Sequence, residues 1–600
     1  MDETIESPLT RPARASLGAL LTAATLVAAG CGGPSDETDE PRSLLLLTLD
    51  TTIPEALSCY VPGPGRSTPA LDAIAAEGLL FENARTVTPM TLPSHASMLT
   101  GLVPPRHSVR MNGAMILPES ADTLAERARA AGAQTAAFVA AVVLGEGFGL
   151  EQGFDVYDQP AAQVGSDERL EAARDARQMV DVTLDWFRDQ RDPERPFFVW
   201  LHFFDPHAPY APPPEYLQGA GGNAYQGEVN YMDAQIGRLI DELKTLELWD
   251  ETLVAVVSDH GEGLGRHGQK AHAAFVFDTT IRVPMLLRHP DGRRAGEREA
   301  APTSVVDLFP TLVHELGWGL AGDVDGIDLW RENVPADRGV YFESYYGYLS
   351  FGWSPITGWA DGDGKFHHAS RPELYDLQTD PGELANLLPG AEDRAEDYRD
   401  GLARIGRRER LAMQGVSDES GKIGAQIEAL GYTGGVGLGD SVPEPTEHVA
   451  LPSPHERIEA YAKFQTAREL QTLGRNAEAV PLLEEVVAGN PRNHSAAFNL
   501  GLGYMAMREY EKALAAIDLS IEHRRGEWMG GVLNKAVCLQ NLGRGADAVP
   551  FYEQAFTHGD GPPRALETFV RLLDELGETE KRDRYARRLL EQRSGTPEGN

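Results

Sequence analysis

Four side chains of this 600-residue chain form a ligand set that could hold a divalent cation and activate a hydroxyl. Asp50 closes the apolar run "SLLLLTLD", Asp259 and His260 close "TLVAVVSDH", and Thr91 opens "TLPSHASMLTG". Two carboxylates, an imidazole and a hydroxyl suit a divalent cation, and coordination favours the alkoxide of a threonine that is otherwise a poor nucleophile. We therefore predict a metal site at Asp50, Thr91, Asp259 and His260, with Thr91 as the nucleophile.

The segment around Thr91 has the features of a helix start. Pro93 can occupy the first turn, where its missing N–H would be unpaired anyway, and Ser94 to Thr100 can continue as helix. Free N–H groups and the positive end of the helix dipole favour an anion there, so the Thr91 hydroxyl could face a phosphate or sulfate ester. The alternative is that Thr91 is an ordinary N-cap residue.

Other polar side chains must neutralise charge on a tetrahedral ester as it is transferred. Cationic, amide and imidazole groups near the predicted site could do so. The candidates for this role are His207, His272, Asn112 and Lys270.

Three near-continuous apolar segments must position these residues. They are "SLLLLTLD" (43–50), "PFFVWLHFFDPH" (196–207) and "TLVAVVSDHGEG" (252–263), and each has the character of a strand buried on both faces. The carboxyl ends of parallel strands open onto a ligand crevice, so the polar residues that end these segments are expected to meet there. Helical patterns between them, at 68–77, 167–189 and 231–246, predict an α/β layered domain.

Length and charge restrict the protein class. Six hundred residues predict two or three domains. The chain has 54 basic and 91 acidic residues, a formal charge of −37, which repels nucleic acid and anionic lipid. We therefore expect no nucleic-acid partner.

The C-terminal part has a helical repeat. The segments "LQTLGRNAEAV" (470–480), "YMAMREYEKAL" (504–514) and "LQNLGRGADAV" (539–549) recur about every 34 residues, with a weaker copy at 573–585. This pattern resembles tetratricopeptide repeats, which form an all-α solenoid and imply a protein partner on the concave face. The alternatives are a passive spacer or an oligomerisation element.

The first forty residues resemble a bacterial lipoprotein signal. Arg11 and Arg14 precede an apolar run from Leu17 to Ala29, and "AAGC" places Cys31 at the position that becomes lipidated. The resemblance implies export to the periplasm or cell surface, with membrane contact only through the lipid anchor. The alternative is a disordered leader or a short uncleaved anchor.

Several motifs together resemble the sulfatase family of the alkaline phosphatase superfamily. They are "TLPSHASMLTG", "FFDPHAPYAPP", "VVSDHGEGLGRHG", "IRVPMLLRHP" and "ELYDLQTDPGELANL", in the family's order and spacing over about residues 43–435. The resemblance implies a large mixed sheet between helices, a smaller C-terminal subdomain with its own sheet, and one divalent metal ion (Ca, Mg, Mn or Zn). The predicted division is signal and tether 1–42, catalytic domain 43–330, C-terminal subdomain 331–430, linker 431–455 and tetratricopeptide repeats 456–595.

The resemblance also implies roles for single residues. Asn112 matches a contact to substrate oxygen, and His207 matches the histidine that holds the ester group. His272 falls where many relatives have a substrate-binding lysine, and Lys270 lies two residues away. A second metal ion at Asp205, His207 and His272 would make the site resemble that of a two-metal phosphodiesterase.

Three positions depart from the family pattern. Thr91 stands at the position where sulfatases have the cysteine or serine that is converted to formylglycine, and threonine cannot be converted in this way. His95 stands at the position of the family's arginine, and Thr51 at that of a frequent second aspartate. A sulfated threonine lacks the second hydroxyl with which a formylglycine hydrate expels sulfate, whereas a phosphothreonine can be hydrolysed by water. We therefore expect a phosphate or phosphonate ester hydrolase acting on a small molecule or glycan. The alternatives are a true sulfatase and a non-catalytic metal-binding scaffold that recruits partners through its repeats.

Overall fold

The computed structural model describes nine segments of the chain, and two of the predictions lie outside them. The described residues are 43–113, 115–160, 174–320, 322–331, 334–335, 337–415, 442–524, 529–557 and 563–594. The predicted signal with Cys31 lies outside them, as does the part of the linker at 431–441.

The described residues form strands mainly in the first two thirds of the chain and helices throughout. The strands are β1 (Ser43–Leu49), β2 (Leu79–Phe81), β3 (Ala84–Arg85), β4 (Met115–Ile116), β5 (Gln134–Phe138), β6 (Val156–Asp158), β7 (Phe197–Phe203), β8 (Thr252–Ser258), β9 (Met285–Arg288), β10 (Glu297–Glu299), β11 (Thr303–Ser304), β12 (Val340–Ser344), β13 (Ile356–Ala360), β14 (Gly364–His368), β15 (Glu373–Asp376) and β16 (Gln414–Gly415). The α-helices before residue 415 are α1 (Pro69–Glu77), α2 (Thr91–Thr100), α3 (Pro104–His107), α4 (Leu124–Ala130), α5 (Ala176–Asp189), α6 (Pro214–Gly219), α7 (Ala224–Thr245), α8 (Asp278–Ile281), α9 (Leu308–Glu315), α10 (Tyr346–Phe351) and α11 (Glu392–Gly406). Those after it are α12 (Ile458–Thr472), α13 (Asn476–Gly489), α14 (His494–Ala506), α15 (Tyr510–His523), α16 (Met529–Asn541), α17 (Gly545–Ala555), α18 (Pro563–Glu575) and α19 (Thr579–Ser594).

The main sheet has the order β10-β2-β9-β8-β1-β7-β5-β6 and is mixed. The predicted strands β1, β7 and β8 are confirmed as parallel neighbours with β1 in the middle. Leu49 pairs with Phe203 on one side and with Ser258 on the other, so the three strands end at the same level. The chain therefore delivers the residues that follow these strands to one edge of the sheet.

Helices cover both faces of the main sheet, which explains the continuous apolar runs. Leu44 and Leu46 pack into one core with residues of α2, α4 and α9. Leu45 and Leu47 pack into a second core with residues of α1, α5 and α7. Because successive side chains of a strand point to opposite faces, a strand covered on both sides must be apolar at every position.

A second, antiparallel sheet of order β12-β13-β14-β15 follows, and α11 packs against it. This arrangement confirms the mixed sheet between helices and the smaller C-terminal sheet that the sequence resemblance implies.

The C-terminal region is all helical where it is described. Its helices pack as the pairs α12–α13, α14–α15, α16–α17 and α18–α19. Gly474, Gly543 and Gly577 adopt φ of 72°, 73° and 74° in the turns within three of these pairs. The assignment to tetratricopeptide repeats stays a prediction. Among the described residues, no helix combines the length and apolarity that a membrane crossing requires.

Candidate active site

Two buried aspartates follow adjacent ends of the central strands. Asp50 N–H donates to the Phe203 carbonyl at 3.0 Å, and Asp259 N–H donates to the Leu49 carbonyl at 3.2 Å. These bonds extend the sheet by one residue on either side of β1. Both carboxylates are 0% exposed, so the strand ends place two negative charges side by side in the protein interior.

Thr91 is the first residue of α2, and its hydroxyl lies 3.3 Å from Nε2 of His260. The N-cap position belongs to Met90, so the alternative of a threonine N-cap is wrong. His260 Nδ1 donates to the Gly261 carbonyl at 3.0 Å, which leaves Nε2 as the unprotonated nitrogen. The Thr91 hydroxyl therefore donates its proton toward Nε2.

The donor atoms of Asp50, Asp259 and His260 fit a metal ion. They lie within 4.8 Å of one another, with His260 Nε2 at 3.9 Å from Asp50 Oδ1 and 3.6 Å from Asp259 Oδ2. Both oxygens of Asp50 and Oδ2 of Asp259 are buried and accept no hydrogen bond from the described residues. Buried polar atoms are rarely left so, and a cation among them would satisfy all three.

The pKa values of Asp50, Asp259 and His260 also favour a bound cation. Burial, with the adjacent Asp50 carboxylate, raises the pKa of Asp259 to about 7, and burial also raises the pKa of Asp50. Burial and the neighbouring His272 lower the pKa of His260 to about 4, so its ring is neutral and able to ligate. A bound cation would reverse the penalty on the two carboxylates.

Thr51 lies in strained backbone between the two carboxylates. Its φ is 50°, which is rare for a β-branched residue, and its hydroxyl is buried without a partner among the described residues. Its N–H donates to Asp259 Oδ1 at 3.2 Å, and its carbonyl accepts from the Tyr225 hydroxyl at 2.8 Å. Thr51 thus orients the Asp259 carboxylate through its backbone.

Two further histidines lie behind the aspartates. His95 Nδ1 donates to the Thr91 carbonyl at 2.8 Å and lies 3.9 Å from Asp259 Oδ2. His202 Nε2 lies 3.6 Å from Asp50 Oδ2. Burial lowers the pKa of His95 to about 3 and that of His202 to about 4, so both rings are neutral. Sequence reasoning missed His202, although a histidine inside the apolar β7 run was a signal for it.

His207 and His272 also lie beside this group. The His272 ring centroid is 4.3 Å from that of His260 and 5.3 Å from that of His207. His207 Nδ1 donates to the Ala208 carbonyl at 2.7 Å, and His272 Nδ1 lies 3.4 Å from Glu262 Oε1. Burial lowers the pKa of both histidines, that of His272 to about 4. Both rings are therefore neutral, and the bond from His207 Nδ1 leaves Nε2 of His207 as the acceptor nitrogen.

Asn112 supports the start of α2. Its Oδ1 accepts the Leu92 N–H at 2.9 Å, one residue after Thr91. Its Nδ2 is buried and has no hydrogen-bond partner among the described residues. The side chain thus has a donor available near the start of α2, as a contact to substrate oxygen requires.

Two residues that were predicted to belong to the site, Lys270 and Asp205, contact other parts of the protein instead. The Lys270 ammonium pairs with Glu469 of α12 at 2.9 Å, and its side chain is 48% exposed. Asp205 Oδ2 accepts the Ala176 N–H at 2.8 Å, at the start of α5. The structure therefore brings His272 rather than Lys270 to the site. Among the described residues, the groups with metal-ligand spacing do not include Asp205 with His207 and His272.

Comparisons with known proteins agree with this geometry. The sulfatase family profile matches residues 43–318. Steryl-sulfatase of Mus musculus is 30% identical over 278 residues, covering 38% of this chain and 44% of that protein. N-acetylglucosamine-6-O-sulfatase of Bacteroides thetaiotaomicron is 24% identical, covering 62% of this chain and 87% of that protein.

A solved structure shows the same fold. The phosphonate monoester hydrolase of Agrobacterium radiobacter superposes with a TM-score of 0.52 at 22% identity, over 61% of this chain and 95% of that one. The central sheet, the paired strand-end aspartates and the family profile describe the same part of the chain. Residues 43–318 therefore resemble the sulfatase family, and the similarity supports an ester hydrolase.

Proposed function

We propose that this chain is a metal-dependent hydrolase that cleaves phosphate or phosphonate esters through Thr91. The observation that carries the proposal is the Thr91 hydroxyl at 3.3 Å from His260 Nε2, in the group that also contains Asp50 and Asp259. Asp50, Asp259 and His260 would hold the cation, with Thr91 as a further oxygen ligand. When bound, a divalent cation lowers the pKa of a hydroxyl and offsets charge on the ester.

The side chains of this protein supply the remaining steps. Thr91 Oγ1 attacks phosphorus and the P–O bond to the organic group breaks, which gives phosphothreonine and an alcohol. The proton released from the Thr91 hydroxyl passes to the neutral ring of His207 or His272, and that ring then gives it to the leaving oxygen. Water then attacks phosphorus and the bond to Thr91 Oγ1 breaks. A proton from the water restores the Thr91 hydroxyl, and phosphate, or the phosphonate of a phosphonate ester, is released.

The buried Asn112 side chain can contact the substrate. Asn112 Nδ2 lies in the side chain that holds the Leu92 N–H, so it can donate to an ester oxygen without moving the helix. The organic part of the substrate is a small molecule or a glycan, since the relatives are named for steroid and amino-sugar sulfates.

Sulfate esters are the second candidate, because the matched relatives are sulfatases. The threonine nucleophile favours phosphorus esters over sulfate esters as substrates. A sulfated threonine carries no second hydroxyl that could expel sulfate, so its turnover requires water to attack sulfur. Phosphothreonine also requires water, but attack of water on phosphorus is the step by which we expect it to be hydrolysed.

The test compares turnover of an aryl sulfate, a phosphate monoester, a phosphodiester and a phosphonate monoester by one metal-loaded preparation. We expect the phosphorus esters to be hydrolysed faster than the sulfate. Thr91→Ala should remove turnover, and Thr91→Ser should retain part of it, with circular dichroism confirming the fold of both. Turnover that survives Thr91→Ala would overturn the nucleophile. Undetectable turnover of all four substrates with metal bound would instead favour a non-catalytic scaffold.

Two features outside the catalytic domain belong to the same proposal. Four helix pairs at a period of about 34 residues support a tetratricopeptide array that binds a protein partner. The "AAGC" sequence ending at Cys31 supports export and lipid anchoring. Metabolic labelling with a fatty acid tests the anchor, since Cys31→Ser should abolish incorporation.

A further inference from the structure

A second group of metal-ligand side chains lies where the antiparallel sheet meets the helical region. His367 belongs to β14, Glu373 is the first residue of β15, and His455 lies in a 3-10 turn (Pro454–Arg457) that leads into α12. Their donor atoms lie within 4.8 Å of one another. None of these three residues belongs to the group around Thr91 or takes part in the proposed hydrolysis.

Two of the distances between the donors are close to those in a tetrahedral metal site. His367 Nδ1 lies 3.1 Å from His455 Nε2, and His455 Nε2 lies 3.4 Å from Glu373 Oε2. Ligands that stand about 2.0–2.1 Å from a tetrahedral zinc ion are about 3.4 Å apart. Two imidazoles and one carboxylate are also a known ligand combination for this ion, with a fourth position left for water.

The nitrogen atoms that would not bind the metal face polar groups. His367 Nε2 is 3.8 Å from Glu383 Oε1, and His455 Nδ1 is 3.5 Å from Ser453 Oγ. The Tyr375 hydroxyl donates to the Glu373 carboxylate. Ligating histidines commonly present their second nitrogen to a carboxylate or another polar group, which fixes the ring orientation.

Burial and the two facing nitrogen atoms limit how the group can be protonated. His367 is 0% exposed, and its Nε2 has no hydrogen-bond partner among the described residues. Its Nδ1 and Nε2 of His455 face each other, so at most one of the two can carry a proton. The nearby ammonium of Lys365 is paired with Asp278 at 2.9 Å and Glu383 at 2.8 Å, which offsets its charge.

We propose that His367, Glu373 and His455 bind a divalent transition-metal ion of the Zn²⁺ class. Nitrogen ligands from two imidazoles favour such an ion over Ca²⁺ or Mg²⁺, which prefer oxygen. Because two ligands belong to the antiparallel sheet and the third precedes α12, the ion fastens the helical region to the catalytic part of the chain. This site is separate from the cation at Thr91 and does not depend on the proposed hydrolysis.

The experiment measures Zn²⁺ binding to the full chain carrying Asp259→Asn, which weakens the first site. We expect one Zn²⁺ per chain by titration calorimetry and elemental analysis, and a higher melting temperature with Zn²⁺ than without. Adding His455→Gln or Glu373→Gln should weaken binding at least tenfold and remove the rise in melting temperature. Adding His368→Gln, a histidine on the opposite face of β14, should leave both unchanged.

The same data can overturn the proposal. It fails if the Asp259→Asn chain binds no Zn²⁺, or if both His455→Gln and Glu373→Gln bind it as tightly as their parent. Circular dichroism identifies a variant that does not fold, and the other variant then decides. Co²⁺ gives an independent readout, since four-coordinate Co²⁺ absorbs strongly in the visible range and this band should vanish with His455→Gln.

Discussion

The Tyr461 hydroxyl in α12 donates a hydrogen bond to the backbone carbonyl of His272 at 3.1 Å. Gln465 and Glu469 follow on the same helix face at intervals of four residues. Gln465 Oε1 accepts the Lys270 N–H at 3.4 Å, and Glu469 pairs with the Lys270 ammonium at 2.9 Å. Helix α12 therefore holds the loop that brings His272 to the candidate active site.

We expect Tyr461→Phe to lower kcat/KM because it frees one anchor of the His272 loop. A net hydrogen bond contributes about 1 kcal/mol, so the expected loss is about fivefold. Steady-state kinetics on the best phosphorus ester would measure it. Lys463→Gln is the matched control, since Lys463 lies on the same helix and pairs with Glu485 at 2.9 Å. Equal kcat/KM values for the two variants would show that α12 does not position the loop.

The strand-end residues could be predicted from sequence because their positions depend on local pattern. Continuous apolar runs predicted β1 and β8, and the residues that follow parallel strands meet at one edge of the sheet. The orientation of the Lys270 side chain, which pairs with α12, could not be predicted from local pattern. Its partner Glu469 lies 199 residues further along the chain, and a loop lysine gives no local signal for such a contact.

The same reasoning explains two other outcomes. Asp205 follows a strand, as the pattern requires, but it accepts the first N–H of α5 and so turns to a helix start. His202 lies inside β7, where an apolar residue is expected, and only the neighbouring strand shows that it faces Asp50. The orientation of both side chains depends on contacts that form only in the folded protein, so the local sequence pattern does not predict it.

Asn112→Asp should separate the two roles of the Asn112 side chain. Aspartate keeps an oxygen that accepts the Leu92 N–H but loses the Nδ2 donor. Loss of a donor to a developing oxyanion lowers kcat by about 10²–10³. We expect that loss with little change in melting temperature, whereas Asn112→Ala should reduce both kcat and the melting temperature. A kcat for Asn112→Asp within twofold of the parent would exclude the contact to substrate.

Removal of divalent metal should abolish turnover and also destabilise the protein. Without a cation, the buried carboxylates of Asp50 and Asp259 repel each other. Dialysis against a chelator should therefore lower both activity and melting temperature, and metal addition should restore both. Asp50→Asn should show little activity in either state. Full activity in a preparation that elemental analysis finds free of metal would contradict the assignment.

Asp233 should make the stability of the protein depend on pH. Its carboxylate lies on α7 and accepts the Ala70 and Leu71 N–H groups of α1 at 3.1 and 2.9 Å. Burial raises the pKa of Asp233 to about 7, above its value in an unfolded chain. The folded state thus holds a proton that the unfolded state releases between about pH 4 and 7.

The free energy of unfolding is therefore expected to fall as pH rises through this window, by at most about 1.4 kcal/mol per pH unit from this group. Urea unfolding at intervals between pH 4.5 and 7.5 (about the window set by these pKa values) would measure the slope. Asp233→Asn cannot titrate, so its slope should be smaller by that contribution, while exposed Asp241→Asn on the same helix should change nothing. Parallel curves for the parent and Asp233→Asn would mean that the carboxylate is ionised throughout and stabilises the start of α1 as an anion.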